Sequence, residues 1–319
     1  MRTYPLVSIV LPVLNVAPFL GECVWSAYGQ DWPLLELVAI DDGSEDGSGS
    51  MLDALAVRWT APGRSMRVVH QPNAGAAAAR NAGLDLLRGD YVCFLDGDDR
   101  LHPTAVSRLV EMLRGDPALA LVAPRWRYVD AQGVATGTIS TPRRARYTGR
   151  DLVVEDPLDS ASGVMVPARV ARETGSFDTE LSGCIDLDWF VRAVATRGEA
   201  AAILPEPLVD YRKRAGQITS DWRRMRENWE TVVAKLAHSE AALSPAELSV
   251  ARGRNAVFHA TVAYQAGEYS DARALIWLAW RLAPRLVLRD PHARIRTLAA
   301  CASLLPEGLH ATLRRRVNG

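Results

Sequence analysis

The sequence predicts an α/β domain built on a mostly parallel sheet flanked by helices, followed by an all-helical C-terminal extension. Three observations predict it. Four apolar runs of strand length, Val7–Leu11, Leu35–Ile40, Met66–Val69 and Tyr91–Leu95, alternate with helical segments. Three of these runs end in residues suited to polar ligands, at Pro12 to Asn15, Asp41 to Ser44 and Asp96 to Asp99, and ligands of such sheets sit at the carboxyl ends of strands. Past Ser220 the strand pattern stops and only helical segments follow.

In chain order, Val7–Leu11 reads as a buried strand stopped by Pro12. Phe19–Tyr28 is helical, with Leu20, Val24 and Ala27 on one face. Leu35–Ile40 is the second strand, and a helix from Gly49 to about Thr60 follows its Asp41-Asp42-Gly43-Ser44 end. Met66–Val69 is the third strand. Gln71-Pro72-Asn73-Ala74-Gly75 then leads into an alanine-rich helix that runs to Leu87. The strand Tyr91–Leu95 ends abruptly in Asp96-Gly97-Asp98-Asp99, before a turn closed by Pro103.

The 319 residues are 48% apolar, ample for a core, and carry no net formal charge, which gives no bias towards nucleic acid. Cys23, Cys93, Cys184 and Cys301 form no paired spacing, so free thiols in a reducing cytosol are expected. The start resembles no signal peptide and every apolar run is broken well short of 18 residues, so a cytoplasmic location is expected. Charge is uneven, however. From Arg273 to Gly319 nine arginines face Asp290 and Glu307, a local net of +7.

Three carboxylates at a strand end repel one another and need solvent, a cation or a basic group to compensate them. Asp96, Asp98 and Asp99 therefore read either as a solvated turn or as an all-oxygen site for Mg²⁺ or Mn²⁺ that also holds phosphates. Asp42 reads as a turn carboxylate or as an acceptor for a base N–H. Arg80, on a small-residue helix, needs an anion, and a diphosphate would supply one. No dinucleotide fingerprint or Gly-Lys-Ser/Thr phosphate loop is present, so a nucleotide would rest on carboxylates and a metal.

Val7-Ser-Ile-Val-Leu-Pro-Val-Leu-Asn15, Ile40-Asp-Asp-Gly-Ser44, Asn73-Ala-Gly-Ala-Ala-Ala-Ala-Arg-Asn-Ala-Gly83 and Phe94-Leu-Asp-Gly-Asp-Asp99 occur in one order. Together they resemble the family-2 glycosyltransferases with the GT-A fold, over residues 7 to about 215. The resemblance implies a nucleotide-sugar donor, usually a UDP-sugar, and inversion at the anomeric carbon. It implies a nucleotide-binding half over about 1–103 and an acceptor half over about 104–215, and beyond it the residue pattern gives a helical region over 216–319. Pro12, Leu14, Asn15, Asp42, Asn73, Gly75, Arg80, Asp96 and Gly97 would line the nucleotide or donor, with Asp42 on the base. Asp96 and Asp98 would form the Asp-x-Asp motif for Mn²⁺ or Mg²⁺, Asp98 being the direct ligand.

More loosely, Ala161–Pro167 and Gly175-Ser-Phe-Asp178 resemble the acceptor-side strand and its following segment. Cys184–Arg192 resembles the stretch that carries the general base, which corresponds to Asp186. Asp99, Gly163, Asp188, Arg212 and Arg214 are further candidates for donor or acceptor contacts. Three positions depart from the family pattern. Leu14 replaces a frequent Tyr and weakens the case for uracil, Ile185 replaces the Glu before the base, and Arg214 replaces a His that would reach metal or phosphate. Arg214 cannot ligate a metal but could pair with a phosphate. The expected acceptor is a glycan, a lipid-linked sugar or a small molecule, in cell-surface glycan or glycoconjugate synthesis. A nucleotidyltransferase and a non-catalytic scaffold that keeps the fold are the alternatives.

Helices are expected over Trp222–Ala237, Pro245–Ala266, Tyr269–Ala283, Ala293–Ser303 and Pro306–Arg316. Phe258–Pro284 is similar to one tetratricopeptide-type hairpin, which alone cannot form a solenoid and reads as a helical cap or an oligomer contact. The last helix, ending in Arg314-Arg315-Arg316, reads as core-facing with a basic end, or as a peripheral contact to anionic lipid.

Overall fold

The computed structural model describes residues 4–59, 61–196, 200–214, 216–239 and 241–289. The chain divides into two compact units, 1–152 with 157–214, and 153–156 with 215–319.

The first unit opens with alternating strands and helices: β1 (Val7–Val13), α1 (Ala17–Tyr28), β2 (Leu35–Asp41), α2 (Ser48–Arg58), β3 (Arg64–His70), α3 (Ala76–Asp85) and β4 (Tyr91–Phe94). The chain continues through β5 (Arg100–Leu101), α4 (Ala105–Gly115), β6 (Leu119–Val129), β7 (Ala135–Ile139), β8 (Arg146–Tyr147), α5 (Gly149–Glu155), β9 (Met165–Pro167), α6 (Ala168–Thr174), α7 (Ile185–Ala195) and β10 (Ala200–Arg212). All ten strands join one sheet in the order β3-β2-β1-β4-β9-β6-β10-β5, with β7 beside β6 and β8 beside β10. Neighbours from β3 to β4 run parallel. β9 runs antiparallel between β4 and β6, which is itself parallel to β10. The sheet is thus mixed, with a parallel half that carries the first hundred residues.

β1 and β2 are buried along almost their whole length, which is why each reads as an unbroken apolar run. Burying each of Ile9, Leu11, Leu35 and Leu37 contributes about 1.5–3 kcal/mol. Pro12 does not stop β1, contrary to expectation. The Val10 carbonyl accepts from Leu95 N, so the peptide groups of alternate residues 10 and 12 face β4, and β4 pairs with β1 only as far as Val10. Proline lacks its N–H where no strand lies beside it.

The small residues of α3 permit a close approach to the sheet. A Cβ on Gly83 would stand 2.5 Å from Val10 Cγ1, closer than packed atoms allow. Burying Glu36 beneath this layer requires partners, and it accepts from Ser8 Oγ and from Arg88 N, the latter at 2.7 Å.

The second unit contains α8 (Trp222–Leu236), α9 (Pro245–Gln265), α10 (Tyr269–Leu282) and α11 (Pro284–Arg289). Ser244 and Glu247 close a capping box on α9. Its own apolar cluster runs from Trp222 through Ala260, Tyr264 and Leu275 to Val287. The helices expected over 293–303 and 306–316, and with them the lipid-contact reading, lie outside the described residues. No described helix is long and apolar enough to cross a membrane.

Candidate active site

The carboxyl ends of β1, β2 and β4 and the start of α3 bring the first set of candidates together. Asp42 follows β2 directly and is 2% exposed. Its Oδ1 accepts from Gln71 Nε2 at 2.7 Å and Ala74 N at 2.9 Å, and its Oδ2 from Gly75 N at 2.8 Å. Asp42 therefore fixes the loop that feeds α3, with one of about four lone-pair positions left over. Gly43 turns under Asn73 at φ +77°, where a Cβ would lie 2.9 Å from Asn73 N, so only glycine suits both the turn and the approach. Asn15, at φ +51°, accepts from Glu45 N at 2.8 Å and ties the end of β1 to the end of β2. Leu14 is exposed beside it.

Arg80 lies on the buried face of α3. The anion it needs is a protein carboxylate: Nη2 donates to Asp96 Oδ1 at 2.6 Å. Its Nε is buried without a partner among the described residues. The next residue, Asn81, clamps a distant segment. Its Nδ2 donates to the Phe177 carbonyl at 2.9 Å and its Oδ1 accepts from Phe177 N at 2.7 Å. Phe177 stacks on Trp189 of α7 with centroids 4.9 Å apart, and its ring edge meets Phe94 of β4. This chain of contacts carries Asp186, in the first turn of α7, to the neighbourhood of Arg80 and Asp96. Burial raises the Asp186 carboxyl above its ordinary value, while the Arg80 charge lowers it and the Asp96 charge raises it further.

The three aspartates after β4 have separate fates. Asp99 is fully buried; its Oδ2 accepts from Ser162 Oγ at 2.5 Å and its Oδ1 from Arg212 N at 2.9 Å. Burial, with the charges of Asp98 and Asp96, pushes its carboxyl well above the usual range. It holds the turn. Asp98 Oδ2 accepts from Arg214 Nε at 2.6 Å. Burial raises the Asp98 carboxyl and the Arg214 charge opposes that rise. Asp96 takes Arg80 on Oδ1, and its Oδ2 lies 3.5 Å from Ser160 Oγ. Each of Asp96 and Asp98 thus has one oxygen on an arginine and the other directed elsewhere. Two such hard oxygens fit Mg²⁺ or Mn²⁺. Among the described residues no group of three or more His, Cys, Asp or Glu side chains could hold an ion, so further oxygens would come from phosphate and water.

Three of the further candidates are engaged by the protein itself. Arg212 is 1% exposed; Nε donates to the Asp98 carbonyl at 2.8 Å, Nη1 to the Ala131 carbonyl at 3.0 Å and Nη2 to Glu22 Oε2 at 2.9 Å. Its donors are committed to the protein, and it braces the aspartate turn. Asp188 is fully buried and accepts from Arg192 Nε and Nη2 at 3.0 and 2.9 Å, one helical turn on. That pair fastens α7, since Arg192 also donates to the Thr174 and Ser176 carbonyls. Gly163, at φ +81°, would press a Cβ to 2.5 Å from Val209 Cγ2 and is a packing requirement. Gly97 is constrained similarly by Val16, at 2.8 Å.

Ser160, Ser162 and Glu22 were not foreseen as part of the site. Ser162 Oγ accepts from Asp96 N at 3.0 Å while donating to Asp99, and so sets both ends of the turn. The sequence signals were the small-residue run Ser160-Ala-Ser-Gly163 before β9 and, for Ser162, the resemblance of Ala161–Pro167 to the acceptor-side strand.

Carboxylates and arginines thus gather at the carboxyl ends of a mixed sheet. The chain belongs to glycosyl transferase family 2, whose model matches residues 8–169. It is 40% identical over 107 residues to an uncharacterized glycosyltransferase, EpsJ, of Bacillus subtilis (strain 168), covering 34% of this chain and 30% of that one. It is 30% identical over 192 residues to a chondroitin synthase of Escherichia coli, covering 60% of this chain and 27% of that one. The matches span less than half the length of either relative.

In structure it is similar to S. aureus TarS 1-349 in complex with UDP-GlcNAc, at TM-score 0.64 and 16% identity, over 97% of this chain and 92% of that one. It is also similar to the mannosyltransferase PcManGT of Pyrobaculum calidifontis in complex with GDP-Man and Mn²⁺, at TM-score 0.61 and 21% identity, over 94% and 85%. At such identities the likeness concerns the fold, which is GT-A.

Proposed function

We propose that the chain is an inverting glycosyltransferase that moves a sugar from a nucleoside-diphosphate sugar to an acceptor hydroxyl in glycan synthesis. The observation that carries this reading is the pairing of Asp96 with Arg80 and of Asp98 with Arg214 just after β4, with Asp186 of α7 close enough to feel the charges of Arg80 and Asp96. Asp186 has the properties of a general base. Its raised carboxyl value brings it nearer to the pH at which it must accept the acceptor's proton, as that oxygen attacks the anomeric carbon opposite the departing diphosphate. Only the deprotonated form can act, so turnover falls as pH drops through that raised value.

Arg80 and Arg214 supply fixed positive charge next to the two Asp-x-Asp carboxylates, where the diphosphate's negative charge grows. A divalent cation held by Asp98 and Asp96 would stabilise that same charge. The ligands bound by the structural neighbours, UDP-GlcNAc in one and GDP-Man with Mn²⁺ in the other, support a sugar nucleotide and a cation here. UDP is the nucleotide proposed, and the likeness to chondroitin synthase supports a glycan product.

The test is a calorimetric titration of UDP, with GDP and TDP as rivals, with and without Mn²⁺. Binding of UDP, tightened by Mn²⁺, is expected. Asp186→Asn should keep that affinity and lose about 10²–10⁴-fold in turnover. Absence of binding by all three nucleotides, or full turnover in Asp186→Asn, would sink the reading.

A further inference from the structure

A second constellation, within reach of the Asp99 charge, has no part in the mechanism above. Tyr128 near the end of β6 and Tyr211 near the end of β10 are register partners, their rings edge to face with centroids 5.8 Å apart. The Lys213 ammonium stands over both, 4.4 Å from the Tyr211 centroid and 5.1 Å from that of Tyr128. The Tyr128 hydroxyl donates to Asp159 Oδ2 at 2.6 Å. Asp159 and Lys213 feel each other's charge, yet they form no ion pair.

Both side chains are open to solvent, but protein crowds them enough to raise the Asp159 carboxyl and lower the Lys213 ammonium by desolvation. The two groups are thus accessible yet crowded. A facing ammonium and carboxylate that do not touch leave donor and acceptor positions open between them.

Their place matters as much as their chemistry. Asp159 immediately precedes Ser160, whose hydroxyl lies 3.5 Å from Asp96 Oδ2. Lys213 immediately precedes Arg214, which holds Asp98. Each of the pair is thus one residue along the chain from a side chain that touches an Asp-x-Asp carboxylate, and Lys213 also feels the Asp99 charge.

Resting on the glycosyl-transfer reading, we propose that Tyr128, Asp159 and Lys213 form an acceptor subsite for a neutral, polyhydroxylated sugar ring. Asp159 accepts from one ring hydroxyl and the Lys213 ammonium donates to a neighbouring one, while the tyrosines hold both in place. One positive and one negative group cancel, so an anionic acceptor would meet Asp159 and a cationic one Lys213.

The experiment compares the full-length wild type with Lys213→Met, which keeps the stem over the rings, and Asp159→Asn. Binding of neutral p-nitrophenyl hexosides and of matched sugar phosphates is read by saturation-transfer NMR, and UDP affinity by calorimetry with Mn²⁺. Neutral hexosides should bind the wild type and bind each variant about tenfold more weakly, the loss of one charge-assisted hydrogen bond. UDP affinity should stay within about twofold, which also reports that the variants are folded. Unchanged hexoside affinity in both variants, no hexoside binding to the wild type, or a preference for the sugar phosphates would overturn the subsite. Failure of UDP to bind the wild type would instead strike the transfer reading, leaving the hexoside comparison readable.

Discussion

The three aspartates that follow β4 share one short turn, yet their hydrogen bonds make them chemically unequal. Asp99 spends its carboxylate on Ser162 and the Arg212 backbone, wholly inside the protein, whereas Asp98 and Asp96 each keep an oxygen away from their arginine. Substitution should separate them. In Asp99→Asn the amide oxygen can still accept from Arg212 N and the amide nitrogen can donate to Ser162 Oγ, so turnover should fall less than about tenfold. Asp98→Asn removes charge at the proposed cation position and should cost about 10²–10³-fold, with the dependence on Mn²⁺ concentration displaced upward. Steady-state rates across a Mn²⁺ series give the comparison, and a larger loss at Asp99 than at Asp98 would reverse the assignment. The resemblance set Asp98 apart as the metal ligand and left Asp99 to the turn or the donor, but the contacts that hold Asp99 are not visible in the string Asp96-Gly-Asp-Asp99. The partners of Asp99 lie 63 and 113 residues away, and no local pattern encodes such a pairing.

The helix α3 concentrates the site's construction in ten residues: Gly83 sets its distance from β1, Arg80 meets Asp96 and Asn81 clamps Phe177. Gly83→Ala tests the first of these. Alanine favours a helix over glycine by about 1 kcal/mol. Its Cβ, however, would stand 2.5 Å from Val10 Cγ1 in a strand that cannot retreat between β2 and β4, and overpacking of that kind costs about 1–3 kcal/mol. The clash should win, so urea denaturation should find Gly83→Ala less stable than wild type, and equal or greater stability would mean that α3 rides higher on the sheet. Elements of this sort were legible in the sequence to different degrees. β1, β2 and β4 announce themselves because burial on both faces requires continuous apolar runs. β7, fully exposed, and β8, of two residues, carry no such signal, and β9, of three, was legible only through the resemblance of Ala161–Pro167 to an acceptor-side strand. Arg80 was legible as a cation in want of an anion, but its partner came from the strand end beside it, so the reading of a diphosphate there overlooked the nearer carboxylate.

At the scale of the whole chain, every residue placed in the site, from Pro12 to Arg214, belongs to the first unit, while the second unit has a separate apolar cluster of its own. Ligand binding should respect that division. A ligand that binds only the folded site adds about 2.7 kcal/mol at a hundred times its dissociation constant, and the gain reaches only those amides whose opening disrupts the site. UDP with Mn²⁺ should therefore slow hydrogen exchange around 12–15, 41–44, 73–80, 96–99, 160–163 and 211–214. It should leave α9 and α10 unchanged, because Ala260, Ala263, Tyr264, Leu275 and Ile276 pack within their own cluster. Exchange followed by mass spectrometry at saturating UDP distinguishes the outcomes. Protection that rises equally in α9 and α10 would mean that the two units open together, and the site could then no longer be assigned to the first unit alone.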